Sequence, residues 1–446
     1  RFGFNYKPFD DENGSLQIRG GTGLFTGTPP YVWISNQAGN NGVLFGDLNV
    51  RAVKDKNDNI ISDGRPSLGF TGNMDTYKPA EGSATRSDIA ITDPDFKYPS
   101  LWKSNIAADY KFGDGWVATI ELLYSKDINA IYHDNIGLYR TEQFVNDGGA
   151  GNARPYYNGY YSDREGNQKA ANHVVMLRNT SKGHSLYTTF QLQKNFVDGI
   201  LKGLYLNGSY SFGQSRGVTD GTSSVATSAW KYRAALDGNA EEVGYTAGSF
   251  DGRLLLSASY TANWSKYAAT SFGLIYQRYR PFRYSYCYNG DANGDSQFSN
   301  DLMYIPANFD EVKDHLLPGD FDSQEDAWKA MNAFIEQDPY LSKHRGEYAE
   351  RNGAVAPFAN QLDLSVSHDI KIYQKNGRSH TLRFSFNIAN FLNLLNRNWG
   401  VVQTTVLGNQ QYQFLTIPKG QGPSAANNYT LKYTMAKDLD ETFKDN

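Results

Sequence analysis

Apolar and polar residues alternate with a period of two through stretch after stretch of this chain, and that pattern commits most of it to β-strands with two chemically different faces. In residues 116–125, one face carries Trp116, Ala118, Ile120, Leu122 and Tyr124, and the other Val117, Thr119, Glu121, Leu123 and Ser125. Residues 204–212 set Leu204, Leu206, Gly208, Tyr210 and Phe212 against Tyr205, Asn207, Ser209 and Ser211. Leu186, Thr188, Phe190 and Leu192 oppose Thr189, Gln191 and Gln193. Leu254, Leu256, Ala258 and Tyr260 oppose Leu255, Ser257, Ser259 and Thr261. Leu362, Leu364, Val366 and Ile370 oppose Asp363, Ser365, Ser367 and Asp369, and Leu382, Phe384, Phe386 and Ile388 oppose Arg383, Ser385 and Asn387.

The connections between these strands alternate in length. Short turns are expected at 10–14, 113–115, 197–199, 263–266 and 374–378, most of them built from Gly, Asp and Asn, which tolerate positive φ. Between the paired strands lie long polar, Gly- and Tyr-rich stretches, roughly 26–100, 130–180, 217–250 and 284–357. Loops beyond about 15 residues are uncommon in compact domains. A soluble β-sandwich gives the same alternation, with one face in a core and one in water. Three features favour an outer-membrane barrel instead. The strands run to about ten residues or more. Their polar face is rich in Ser, Thr, Asn and Gln, as a wet lumen requires. Aromatics gather at strand ends, as at Tyr276, Tyr279, Phe282 and Tyr284, where an interfacial girdle belongs. Short turns then face the periplasm and long loops the exterior. No stretch reaches the roughly 18 apolar residues of a membrane helix. The fold expected is all-β: a large antiparallel transmembrane β-barrel, partial in this chain, with long extracellular loops and one short loop helix.

That helix is expected at 323–337, inside the last long loop. Asp322 and Ser323 supply the start signal, and Trp328, Met331, Phe334 and Ile335 share one face. Asp338-Pro339 ends it. An apolar stripe needs a surface, so the 284–357 loop is expected to fold as an ordered cap on the barrel mouth or to meet a partner protein; an ordered loop with a purely structural role is the alternative. Arg278, Arg280 and Arg283 interleave with aromatics and read as contacts to anionic lipid or as part of the girdle. With 43 Lys+Arg against 47 Asp+Glu, the charge balance of −4 gives no basic field for nucleic acid, and none is expected as a partner.

Four strings carry more than periodicity: RGGTGLFTGTPPYVWISNQ at 19–37, GDANGDSQFSNDLMYIP at 290–306, PYLSKHRGEYAERNGAVAPFANQLDL at 339–364 and HTLRFSFNIANFLNLLNRNWG at 380–400. Together they resemble the barrel of TonB-dependent outer-membrane receptors of the Oar-like group, of Bacteroidetes type. The resemblance implies a plugged barrel of about 22 strands in a Gram-negative outer membrane. It also implies energised uptake or secretion of a ligand, outer-membrane lipid as surroundings, and TonB as a partner through a plug. Roughly ten or eleven strands are legible here, so the chain is expected to be the C-terminal portion of such a barrel, with the plug upstream of Arg1; closure of ten strands as a small barrel is the structural alternative.

One short loop carries candidate metal chemistry. Asp291, Asn293 and Asp295 form the Asp-x-Asn-x-Asp opening of a calcium loop, and Asp301 follows after Asn300. Alternating oxygen ligands of a tight turn converge on a hard cation, so Ca²⁺ is the expected occupant. The match is incomplete: Ser296 stands where such loops carry Gly, and Leu302 where they carry Glu. The competing reading is a turn held by its own side-chain-to-backbone bonds. No other cofactor is expected. Gly213-Gln-Ser215-Arg-Gly217 spells a nucleophile elbow, but no helix pattern follows it. Glycines 20, 21, 23 and 27 miss dinucleotide spacing and read as a strand closely approached, as by a plug. The single cysteine, Cys287, excludes a disulfide framework, and the seven histidines show no i, i+4 pair. No acid/base or nucleophile constellation forms, so no enzyme is expected. Besides an importer, a passive channel and a cell-surface adhesin or glycan-binding scaffold fit the pattern.

Overall fold

The computed structural model describes residues 1–28, 30–41, 53–55, 59–62, 73, 75, 88–149, 151, 153–161, 173–221, 223–373, 379–404, 411–437 and 439. Ten long strands form one antiparallel meander in chain order: β1 (Phe2–Asp11), β2 (Gly14–Thr26), β3 (Ser100–Phe112), β4 (Trp116–Asp127), β5 (His184–Asn195), β6 (Leu204–Gly217), β7 (Arg253–Ser265), β8 (Ala268–Tyr279), β9 (Ala359–Tyr373) and β10 (Ser379–Ile388). They run 10 to 15 residues each, enough to cross a bilayer at a tilt. Among the described residues β1 and β10 pair only inward, so the sheet is open and the ten strands do not close on themselves.

The described short connections lie at one end. β1 and β2 turn at Glu12–Asn13, β3 and β4 at 113–115, and β5 and β6 at 196–203. The β7–β8 turn comes later than expected, at Lys266–Tyr267, because β7 takes a bulge between Asn263 and Ser265 and runs on through it. The expected 374–378 turn lies outside the described residues. Aromatics gather at this end: Tyr110 stacks on Phe112 at 5.3 Å and Phe112 on Trp116 at 6.3 Å, a girdle at the membrane edge.

The register fixes which residues share a face. Ile120 sits opposite Phe190 and Ala108, and Leu206 opposite Ala258 and Lys194. The expected apolar set of Trp116, Ile120, Leu204, Leu206, Phe384 and Phe386 falls on one side. Four of its members are exposed, Ile120 at 45% and Phe386 at 63% among them, and Trp116 and Leu204 are half-buried. Thr119, Glu121, Asn207, Ser209, Arg383 and Asn387 fall on the other. That face is tied by side-chain bonds across strands. Arg19 Nε donates to Asp109 at 2.9 Å, Thr119 to Asp109 at 2.7 Å, Gln191 to Asn207 at 2.7 Å, and Ser365 to Asn387 at 2.7 Å. Gly20 is indeed closely approached, but by the Phe4 ring and the Asn105 carbonyl of neighbouring strands, where a Cβ would come within 2.7 and 2.8 Å.

Arg283 and Tyr284 depart from the girdle expectation. Both are buried. Arg283 Nε donates to the Ser249 carbonyl at 3.1 Å and Nη1 to that of Asn352 at 3.0 Å, because the chain leaves the sheet after Tyr279 and enters a packed body above it. Arg278 and Arg280 remain at the rim, both over the Phe358 ring. Residues 213–217 are strand within β6, without the strand-to-helix elbow that nucleophile geometry needs.

The alternation of faces yields a direct test. Ile120→Lys puts a charge against hydrocarbon, at a cost of about 2–4 kcal/mol near the midplane, whereas Thr119→Lys points into the polar side. Heat-modifiable migration of the membrane-assembled protein should collapse for Ile120→Lys and persist for Thr119→Lys. Equal behaviour would mean the strand phase is reversed.

Candidate functional site

Described parts of three long connections pack together. Residues 283–289 leave β8 as a strand whose alternate side chains, Tyr284, Tyr286 and Tyr288, are all buried. This strand joins a small mixed sheet in the order Leu316–Leu317, Tyr433–Met435, Gln411–Thr416, Arg283–Asn289, Ala354–Val355. Against that sheet packs the helix α1 (Gln324–Gln337). Ser323 caps α1 by accepting from the Asp326 N–H at 3.1 Å. Met331, Phe334 and Ile335 are buried as the sequence spacing requires, and Trp328 packs partly buried against the same cluster. Asp338 ends the helix, accepting from the Leu341 N–H at 2.7 Å and from the Tyr286 hydroxyl at 2.6 Å.

The 284–357 connection thus folds as a packed, cap-like body, and that body is not built from 284–357 alone. Residues from the β4–β5 connection (Val145), the β6–β7 connection (Ala234) and the segment after β10 (Phe414, Leu415, Leu431, Tyr433) complete its dry core. Residues 411–435 carry no membrane-length alternation, so nothing local marks them as cap; the pairing of 411–416 with 283–289 is parallel and long-range.

At the heart of this body lies the 291–301 turn. Oxygens of Asp291, Asp295 and Asp301 approach within 4.8 Å of one another. Asp291 sits at the rim and anchors the turn, Oδ1 accepting from Gly294 N–H at 2.6 Å and Oδ2 from Ser296 N–H at 2.8 Å. Gly294 is required twice over: its φ is +83°, and a Cβ would meet the Tyr157 carbonyl at 2.1 Å. Ser296 adopts φ of 68°, the left-handed turn that Gly gives a calcium loop at this position. Asn293 lies within the turn. Its Oδ1 accepts from the Asp295 N–H at 2.9 Å, so that oxygen is engaged within the turn. Both amides meet the Asp295 carboxylate: Asn293 Nδ2 donates to Asp295 Oδ2 at 3.4 Å, and the Asn300 side chain, adjacent to Asp301, bonds the same carboxylate.

The surroundings are buried and short of positive charge. Arg154, fully buried, reaches Asp147 at 2.9 Å and Asp301 at 3.2 Å, and also donates to the Leu302 carbonyl. Its guanidinium lies over the rings of Tyr288 and Tyr348. Burial raises the Asp295 carboxyl to about 7, with the neighbouring Asp291 charge adding to the shift. Burial likewise raises Asp291, and pushes Asp301 well above the carboxylate range against the pull of Arg154. Arg154 and Asp147 escaped sequence reasoning because they stand roughly 140 residues from the turn, in a stretch with no motif.

The turn also joins three long connections. Tyr157 N–H donates to the Asn293 carbonyl at 2.7 Å, and Ala235 N–H to that of Asn300 at 2.9 Å. Tyr157 hydroxyl in turn donates to Asp237 at 2.7 Å. The polar face of the sheet presents Arg19 between Asp109 and Glu121.

The family described as outer membrane beta barrel domain matches residues 1–423. The chain belongs to that family. It is therefore a Gram-negative outer-membrane chain, its apolar strand face in lipid and its polar face inward. Among solved structures, the FrpB iron transporter from Neisseria meningitidis (F3-3 variant) is similar at 8% identity and a TM-score of 0.29, over 86% of this chain and 41% of that one. The chain thus spans about two fifths of the length of that transporter. A search of curated protein sequences gives no match.

For a barrel-family chain, the cap should fail independently of the membrane sheet. Arg154→Leu leaves Asp147 and Asp301 buried without their cation, at a cost of about 3–5 kcal/mol. Protease added to intact cells should then cut within 284–357, while heat-modifiable migration of the barrel is retained. Unchanged protease resistance would remove Arg154 as the cap's central ion pair.

Proposed function

We propose that this chain is the barrel-and-cap portion of a TonB-dependent outer-membrane receptor of the Oar-like group, which moves a ligand across the outer membrane with energy relayed through TonB. The observation that carries the reading is the cap: the long connections fold into one body with its own dry core and buried ion pairs, instead of leaving an open mouth. A passive channel has no use for such a body. An importer does, because its ligand must be held outside while the path opens. The charged strip of Arg19, Asp109 and Glu121 on the polar face suits a lumen filled by a folded plug, which such a strip would orient by hydrogen bonds.

An adhesin or glycan-binding scaffold would use the same cap surface without transport. Transport separates the readings. The full-length protein in planar bilayers is expected to show no steady conductance, and ligand-dependent growth or secretion is expected to stop when TonB is removed. A steady open pore would make it a passive channel. Surface binding indifferent to TonB, with no transport, would make it an adhesin.

A further inference from the structure

We propose that the 291–301 turn binds one divalent oxygen-seeking cation, with Ca²⁺ the best chemical fit, through Asp291, Asp295, Asp301 and the Asn300 side-chain oxygen, and that the ion locks three long connections into a single cap. Three carboxylate oxygens within 4.8 Å of one another surround a space of the size that Ca²⁺ coordination at about 2.3–2.6 Å fills. A cluster of acids alone would not require an ion. The independent observation is Asn300. Its side chain is 2% exposed, it meets the Asp295 carboxylate, and its Oδ1 has no hydrogen-bond partner. An amide oxygen buried without a donor costs about 1–3 kcal/mol, and here it lies beside carboxylates, which have no proton to offer it when ionised. A cation satisfies it and the acids together.

The charge count points the same way. Arg154 is the cation bonded to Asp301, and it is shared with Asp147. Asp291 and Asp295 take their hydrogen bonds from backbone and amide N–H groups, which carry no net charge. The partial calcium spelling of the sequence also gains its missing piece in the backbone, since Ser296 takes the turn conformation expected of glycine there. Asn300 and Asp301 close the site in place of the absent glutamate.

The consequence is mechanical. The turn is gripped by Tyr157 from the β4–β5 connection and by Ala235 from the β6–β7 connection, so an ion held in it ties those two connections to the one that follows β8. Extracellular calcium sites bind with dissociation constants of about 10⁻⁴–10⁻³ M, and an affinity in that range is expected here. The inference concerns the cap and not the energy source, so it stands or falls apart from the TonB reading.

The test uses the full-length protein in detergent, freed of metal with a chelator, and needs no transported ligand. Trp230 is a built-in reporter: a carbon placed on Gly238 would lie 3.5 Å from its indole nitrogen and 3.6 Å from an Asp295 oxygen. Excitation of tryptophan should therefore sensitise Tb³⁺ emission, displaced by Ca²⁺ with a stoichiometry of one. Asp295→Asn and Asn300→Ala should each weaken Ca²⁺ binding by about tenfold or more. In the wild type, Ca²⁺ should slow proteolysis of 284–357 relative to the chelated protein. Two outcomes would overturn the proposal: wild-type protein without saturable Ca²⁺ binding, or chelated and Ca²⁺-loaded protein equally resistant to protease. Because both readings come from the wild type, a misfolded variant cannot rescue or sink the idea.

Discussion

Inside a bilayer no water is available to a backbone N–H or carbonyl, so each strand must find its partners in the next strand. The other features of the chain follow from that requirement. It forces the ten strands into an unbroken meander, each antiparallel to its neighbour. The pleat then gives every strand one face toward lipid and one toward the lumen. A sheet so arranged has no dry interior of its own. Ile120, Phe190, Tyr210 and Phe386 are exposed in the isolated chain because their proper solvent is hydrocarbon.

The ordinary protein core has been displaced to the exterior end. There the connections, freed from the hydrogen-bonding rule of the membrane, build a body in which Tyr286, Met331, Ile335, Phe414 and Tyr433 are buried together. That body accepts buried polar groups, and it holds them in pairs and networks. Arg154 between Asp147 and Asp301 is the densest of these, and Arg283 clamps the foot of the cap to the sheet rim through Ser249, Asn352 and Asp251. The lumen face works differently. Its ladders of Thr, Gln, Asn and Ser are half-exposed and tie neighbouring strands with single hydrogen bonds, each contributing about 0.5–1.5 kcal/mol.

The site and the fold therefore meet in one place. The acidic turn lies where three connections converge, and its geometry depends on groups from all of them. A single local event at the turn therefore reaches each connection at once.

The sequence by itself determined the strands, their faces and the end at which the long connections lie. These are local properties: period two places Thr119 and Ile120 on opposite sides whatever else the chain does. It determined α1 as well, through Ser323 and the spacing of Met331, Phe334 and Ile335. It marked the acidic turn through Asp291, Asn293 and Asp295, since a tight turn needs only its own residues to form. Tertiary structure decided the rest. Asn293 and Asn300 share one chemistry, and only the folded turn shows the Asn293 oxygen engaged by the Asp295 N–H while the buried Asn300 oxygen has no hydrogen-bond partner. Arg283 read as one of three rim arginines until packing buried it beneath the cap. Arg154, Asp147 and the 411–435 segment joined the turn across long sequence separations, through contacts that no local pattern encodes, because a buried charge is placed by its partners and not by its neighbours in the chain.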